Sequence, residues 1–513
     1  MEKINAKFKT PYFTAAFFSF VAGLFIHLFG LVNILHNHDS IYRIPTGYGT
    51  GVRSGRWFLT ILGELVEQIF GGYNLAWLNG IIFIALIAIS VGFIVRIFEI
   101  SSYKSAVLIG ICMVAFPSVA STLFYRFTTI YYGISIFLSI FAVYAVKRFK
   151  YGYMLSILCI ALSMGIYQAY VCFAIALFVL LLIKLSLQDD TSIKKIAITG
   201  LFYCVILILG VLLYFLLMKC SLIVYNTTLV DYKGINNMGI FSIQRITGLI
   251  KYAIKSVVYL PLQDYEDIAQ TKLIGFSYAV IGLISLAELI IVFVTKKVKP
   301  LHILSCFVFC ALLPLAANFV VVMCGIDDVY TLMVFPLVTL LFLPLILESI
   351  IPATNGKHTR ITKYLGRATV AVLGIIICLY AYQANANYTI QYYNNEQIKN
   401  YYNRMITQVQ MTEGYDTEKK WVFIGEINDP LLTKSWSKVN HYGGNMALKT
   451  LLNFRRTSWI ENYLGISVPI AKESDINILI ETPEVLEMPC WPNEGSIKII
   501  DNFVIIKLSE PTQ

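Results

Sequence analysis

Charged residues are scarce in this sequence. They make up 14% of its 513 residues, where a soluble protein carries about 25%. That scarcity excludes an ordinary water-soluble chain. A hydrophobic fraction of 58% and a mean hydropathy of +0.70 point to lipid as the solvent. Paired cysteines are missing too. Most of the ten cysteines (Cys112, Cys159, Cys172, Cys204, Cys306, Cys310 and Cys378 among them) lie inside apolar runs, where a thiol acts as a small hydrophobe. None has a metal-binding spacing. From Thr389 onward only Cys490 occurs, which excludes a disulfide within that region. A clean cleavage site is lacking after the basic start MEKINAKFKT and the apolar run from Pro11 to Ile34, so that run reads as a retained span and not a removed signal. No internal repeat is visible, which leaves a repeat-built transporter without support.

What is present is a series of apolar runs. They cover 11–34, 74–95, 104–124, 127–146, 152–167, 169–186, 196–218, 274–295, 301–323, 329–349 and 368–388. At about 20 apolar residues for a crossing, these predict about eleven transmembrane helices. After 388 the composition becomes that of a soluble domain. The expected architecture is an all-α polytopic membrane domain over 1–388 and a small α/β extracytoplasmic domain over 389–513.

The formal net charge is +10. The basic residues cluster in short loops, as in Lys147, Arg148 and Lys150, or Lys296, Lys297 and Lys299. That pattern reports topology and not nucleic-acid binding. It places the N-terminus in the cytoplasm, and an odd number of spans places the C-terminal domain outside. The run 152–186 is divided at Tyr167-Gln168, because a single span there would turn every later basic cluster outward.

Two outer loops are larger than turns. The first, 35–73, ends in an amphipathic helix with Thr60, Glu64, Glu67 and Gln68 on one face and Phe58, Ile61, Leu62, Leu65 and Ile69 on the other. The second, 219–273, holds another, with Ile243, Ile246, Ile250, Ile254 and Val257 opposite Arg245, Lys251 and Lys255. Such helices lie along a membrane surface. In the C-terminal region a helix is expected over 391–411, helical signals near 443–454, strands at 421–425 and 476–480, and a hairpin from 497 to 508 turning at Asp501-Asn502. No catalytic motif is apparent there.

Candidate chemistry gathers in the first outer loop. Asp39, in His36-Asn-His-Asp-Ser40, follows the first span closely and reads either as a solvated loop acid or helix cap, or as a catalytic carboxylate. Arg43, Arg53 and Arg56 share the loop. Arginine grips phosphate through several donors, and it also anchors proteins at lipid headgroups. The glycines at 47, 49, 51 and 55 permit close backbone approach to a ligand. His36 and His38 flank Asp39 at a spacing that matches no fixed ligand motif, so no metal or other cofactor is indicated and a divalent ion is left as an alternative. Tyr125-Arg126, Tyr167-Gln168 and Asp327-Asp328 stand at outer helix ends, as cleft lining or as interface residues. Asn318, inside a span, reads as a helix–helix hydrogen-bonding group.

The combination of the first span, Asp39, Arg43 and Ser54-Gly-Arg-Trp57 opening an amphipathic helix resembles the GtrII family of bacterial glucosyltransferases. Leu313-Pro-Leu-Ala-Ala-Asn-Phe-Val320 and Met488-Pro-Cys-Trp-Pro-Asn-Glu-Gly495 are similar to segments of that family's Gram-positive-like members. The resemblance implies the GT-C class: a multi-span cell-membrane enzyme that takes a hexose from a polyprenyl-phosphate carrier and transfers it, on the outer face, to a cell-surface glycan. Many relatives carry a pair of acids in the first outer loop; here His38 and Ser40 flank Asp39. On this reading Asp39 is the general base with Glu64 in reserve, and Arg43, Arg53, Arg56, Arg126 and Arg245 bind the donor phosphate. His36, His38, Tyr125, Tyr167 and Gln168 line the cleft. The competing readings are a lipid-linked glycan flippase or transporter and a polysaccharide polymerase. A transporter needs ionisable groups deep inside spans, and only His27 and Glu288 stand out there.

Overall fold

The computed structural model describes residues 10–44, 46–188, 191–230, 243–262, 269–325, 327–351, 357–429, 441–445 and 447–510. The chain divides into two compact units. One comprises Met1–Ile34, Gly47–Asn387 and Lys438–Gly443; the other comprises Leu35–Thr46, Tyr388–Ser437 and Gly444–Gln513. The stretch 35–46, at the head of the first long loop, therefore belongs with the C-terminal residues.

The first unit is helical. Among the described residues, eight helices are long and apolar enough to cross a membrane, or nine if the bent pair Tyr103–Ala115 and Pro117–Leu123 is one span. Pro11–Ile26 and Gly152–Ile166 are apolar but shorter. Each expected run overlaps one of these helices, which is consistent with a membrane protein, and the runs 11–34 and 301–323 continue into the separate short helices Leu28–Val32 and Val320–Cys324. Proline opens the helices Pro11–Ile26, Pro117–Leu123 and Pro300–Ala317, where its missing N–H costs nothing. The 43° bend between the paired helices falls at Phe116-Pro117. Phe116 is extended there (φ −61°, ψ 139°), as the residue before a proline prefers.

A second break separates Gly152–Ile166 from the helix Val171–Ser186. Tyr167 is extended (φ −152°, ψ 109°), so the run divides at the Tyr167-Gln168 pair where the charge pattern divided it. Small residues let neighbouring helices approach closely. Ser19 Oγ donates to the Gly110 carbonyl at 3.1 Å, and a Cβ on Gly110 would stand 3.0 Å from the Ala15 carbonyl. The 3-10 segment Thr331–Phe342, with Pro336 inside it, is nearly all buried. Irregular backbone among apolar helices is tolerated where protein surrounds it.

The second unit is built on the C-terminal part of a single helix, Lys357–Gln410. The expected span 368–388 and the expected helix 391–411 are thus one element, and the unit boundary falls inside it. Beside it lies a three-stranded sheet in the order β1-β3-β2, with β1 at Lys420–Ile424, β2 at Ile497–Ile500 and β3 at Phe503–Lys507. β1 pairs parallel to β3, with Trp421 opposite Val504. β2 and β3 form the expected hairpin, with Ile500 opposite Phe503. Asp501 takes a positive φ of 50°, as a two-residue turn requires. Tyr401, Tyr402, Met405 and Val409 pack with Trp421, Val504, Ile506, Leu451 and Trp459 in one core, and Ile41 joins them.

One expectation fails here. Residues 476–480 are not a strand but part of the helix Glu473–Ile480. Ile476, Leu479 and Ile480 stand at i, i+3 and i+4 and meet the core together, while Ile478 is exposed. Glu473 and Asp475 in the first turn favour the helix N-terminus.

Candidate functional site

In the first unit the chemistry-bearing residues converge on the loop Gly47–Arg56. A 3-10 turn, Val52–Ser54, closes at Gly55, whose left-handed φ of 73° is a conformation that glycine adopts without strain. Arg56 N then bonds the Gly51 carbonyl at 3.3 Å, and the helix Trp57–Phe70 begins. Gly51 makes room for the protein itself: a Cβ there would lie 2.4 Å from Thr60 Oγ1.

Arg56 emerges beside a group of tyrosines. Its Nη1 donates to Thr50 Oγ1 at 2.7 Å and to the Tyr132 hydroxyl at 3.2 Å. Its guanidinium lies 4.7 Å from the Tyr167 ring centroid, in cation–π range. Tyr132 and Tyr167 are 4.4 Å apart, and Tyr170 lies 5.0 Å from Tyr167. Gln168 locks the loop from the other side, with Nε2 donating to the Ser54 carbonyl and the Tyr214 hydroxyl, both at 3.0 Å. Tyr214 in turn donates to the Gly55 carbonyl at 3.2 Å. The break at Tyr167-Gln168 is what turns both side chains toward this loop. The structure thus brings together Arg56, Tyr167 and Gln168, three of the expected residues. Thr50, Tyr132 and Tyr214 escaped the sequence reading, the two tyrosines because they sit within apolar helical runs.

The other candidates are placed differently. Arg53 is exposed, and its carbonyl accepts from Val230 N at 2.9 Å. Arg126 is buried, with its guanidinium donating to the carbonyls of Gly30, Ala76 and Leu123. It fastens helix ends together. Tyr125 lies edge-on to Phe127 at 6.3 Å. Arg245 is in the helix Ile243–Lys255, and its side chain lies outside the described residues.

Glu64 is half-buried, and its Oε2 accepts from the Tyr225 hydroxyl at 2.6 Å. That hydrogen bond is the main reason the Tyr225 phenol is pushed up to about 12. On the same helix Ile61, Leu65 and Ile69 are exposed while Thr60 and Gly63 are buried, so an apolar stripe faces outward. Asn318 Nδ2 donates to the Ala253 carbonyl at 2.9 Å and to Ser256 Oγ at 3.2 Å. Its partner is thus the end of the second amphipathic helix and the residue that follows it. His27 Nε2 pairs with the Val114 carbonyl at 2.8 Å, a structural use.

Asp39, His36, His38 and Arg43 lie in the second unit. Asn37 is fully buried, and its Oδ1 accepts from Asp39 N at 3.1 Å and Ser40 N at 2.8 Å, an Asx turn that fixes the segment. Asp39 is 43% exposed, with Oδ2 3.5 Å from His38 Nε2. His36 is buried edge-on against Tyr463 (5.2 Å) and Trp459 (6.4 Å). Burial lowers its imidazole to about 4, so it is neutral at pH 7. Its backbone is clamped by Asn395 (N to Oδ1, 2.8 Å) and by Gln391 Nε2 on its carbonyl. The Arg43 guanidinium lies 5.2 Å from the Tyr42 ring. Among the described residues, no three His, Cys, Asp or Glu side chains are grouped to hold a metal ion.

The family described as Glucosyl transferase GtrII matches residues 28–341. No curated protein and no solved structure matches.

Proposed function

We propose that this chain, which belongs to the glucosyl transferase GtrII family, is a GT-C-type membrane enzyme that moves glucose or another hexose from a polyprenyl-phosphate carrier to a cell-surface glycan on the outer face of the membrane. The observation that carries the proposal is Arg56. It projects from a glycine-rich loop onto a cluster of tyrosines, at the start of a helix whose apolar stripe faces outward. A lipid-linked donor needs that pairing: an apolar surface for the prenyl chain and a cation for the phosphate next to it.

In the proposed reaction the acceptor hydroxyl oxygen bonds to the anomeric carbon, and the bond from that carbon to the phosphate oxygen breaks. The phosphate leaves with the electron pair, and Arg56, with Arg53 exposed nearby in the loop, neutralises the developing charge. The acceptor's proton passes to a carboxylate. Asp39 is the first candidate, because its turn holds it firmly while leaving it half-exposed. Glu64 is second, since the Tyr225 hydroxyl already occupies one of its oxygens. Neither acid has a metal assigned to it.

The test is to incubate the purified protein with polyprenyl-phosphate sugars and follow which is consumed and what glycan forms. An altered side branch supports transfer, and an altered chain length would instead mean a polymerase. Asp39→Asn should cut turnover about 10²- to 10⁴-fold, the usual loss for a general base, with donor binding intact. Normal turnover by that variant, with Glu64→Gln inactive, moves the base to Glu64.

A further inference from the structure

A second polar site lies in the first unit, away from Arg56 in sequence and in surroundings. A cleft of about 310 Å³ opens between the start of the first helix and the ends of two others. It is lined by Tyr12, Arg96, Glu99, Tyr144, Lys147 and Arg148, with Pro11, Val95 and Ile100 as apolar walls. The Arg96 guanidinium lies 4.2 Å from the Tyr12 ring centroid, and its Nη1 donates to the Tyr144 hydroxyl at 3.4 Å. The one acid in the cleft is matched: Glu99 pairs with Lys147 at 3.0 Å and with Lys184 at 3.4 Å. Burial pushes the Glu99 carboxyl up, but the two lysines outweigh it and hold it below its ordinary value. Lys147 also donates to the Ile97 carbonyl and Lys184 to the Phe98 carbonyl, so both lysines fasten the end of the Ala76–Phe98 helix. Arg148 is exposed and, among the described residues, has no hydrogen-bond or ion-pair partner.

We propose that this cleft binds the phosphate of an anionic lipid headgroup, held by Arg96 and Arg148 between the rings of Tyr12 and Tyr144. The residues divide the work. Lys147 and Lys184 are occupied by Glu99 and by backbone, whereas Arg96 is oriented by aromatic rings and Arg148 is available. Arginine presents several donors to a phosphate, and tyrosine is the side chain of the membrane–water interface. The loops that carry these residues are among the basic clusters that the charge pattern assigns to the cytoplasmic side, where anionic lipids favour clustered arginine and lysine. The inference does not depend on the transfer reaction.

The test uses the purified full-length protein in uncharged detergent. Its thermal midpoint is followed while short-chain phosphatidylglycerol, phosphatidylcholine of the same chain length, or inorganic phosphate is added. Phosphatidylglycerol should raise the midpoint and phosphatidylcholine should not. Removing each arginine should weaken binding about fivefold, so the Arg96→Ala, Arg148→Ala double variant should need roughly 25 times more lipid. Arg148→Glu serves as a second variant, because an exposed residue without partners can be replaced without unfolding the protein. It too should weaken binding. If inorganic phosphate matches the lipid and the variants lose both responses, the site holds phosphate without needing the lipid. A response equal in the wild type and both variants, or no response to either anion, overturns the proposal.

Discussion

Arg56 and Arg126 share one expectation, that of meeting a donor phosphate, although Arg56 opens an amphipathic helix after a glycine-rich loop and Arg126 stands just past an apolar run. Their surroundings differ. Arg126 is buried and its donors meet three main-chain carbonyls, whereas Arg56 lies over a tyrosine ring and bonds two hydroxyls. Gly30 and Leu123 lie in the last turns of their helices, where a carbonyl has no intrahelical donor and must be satisfied from elsewhere. A hydroxyl can turn and rebond when a ligand arrives. The first arrangement belongs to a brace and the second to a side chain available for exchange. His36 and Asp39 repeat the contrast in the second unit: three residues apart, one buried among aromatic rings and the other half-exposed on a fixed turn.

The largest effect expected from this contrast is on stability. Arg126→Ala leaves the Gly30 and Leu123 carbonyls without their donor, at about 1–3 kcal/mol for each buried group left unsatisfied. A loss of roughly 3 kcal/mol or more is expected, read as a lower thermal midpoint and a poor yield of folded protein. Arg126→Ala protein with a normal midpoint but no donor binding would remove the distinction between the two arginines.

His36 gives an effect of similar size that pH can switch. Its imidazole is lowered from 6.5 to about 4 by burial, so the folded state binds the proton less readily than the unfolded chain. The resulting stability is present above pH 6.5 and falls as the pH drops toward 4. Over that window the loss is on the order of 3 kcal/mol. Thermal unfolding of the full-length protein across the window should reveal the decline. His36→Phe, which keeps an aromatic ring against Tyr463 and Trp459, should flatten it; an unchanged slope in that variant would assign the acid sensitivity elsewhere.

Much of this was readable in advance, for physical reasons. A run of about 20 apolar residues in lipid must satisfy its own backbone, which a helix does, and each expected run is mostly helical. The Tyr167-Gln168 break was visible through the charges that follow it. Ser54-Gly-Arg-Trp57 was legible because glycine beside arginine and an amphipathic helix is an uncommon local pattern. What the sequence concealed is tertiary. Tyr132 meets Arg56, and Tyr214 meets the neighbouring Gly55 carbonyl, from helices whose composition gives no sign of it. Ile41 carries its short segment into the core of the second unit, and no local signal says so. Residues 476–480 alternate like a strand, but their apolar side chains also fit a helix, and the packing decided.

Arg56 itself supplies the next prediction. Arg56→Ala should weaken donor binding about tenfold or more, the scale of one charge-assisted hydrogen bond, while the thermal midpoint shifts far less than in Arg126→Ala. Arg56→Lys keeps the charge but loses the planar fork and much of the contact with the Tyr167 ring, so it should recover only part of the affinity. Donor affinity unchanged in Arg56→Ala would place the phosphate elsewhere.

The smallest effect concerns Glu64, and it sharpens the choice of base. A carboxylate that accepts a short hydrogen bond from a phenol must give up that bond before both oxygens can serve a substrate. Tyr225→Phe removes the donor and leaves Glu64 half-exposed with both oxygens open. If Glu64 is a bystander, the loss of an exposed hydrogen bond should cost under about 1 kcal/mol of stability and leave turnover within roughly twofold, since no barrier term then depends on it. The raised phenol makes the same point through pH. The bond favours the protonated Tyr225 of the folded state, so its contribution is full below the ordinary phenol value of 10.0 and disappears as pH rises through about 12. Between pH 6 and 9, therefore, Tyr225→Phe and the wild type should have parallel rate profiles. If the variant instead turns over several-fold faster, or its profile moves in that range, the hydroxyl was restraining a working carboxylate. Glu64 would then displace Asp39 as the base.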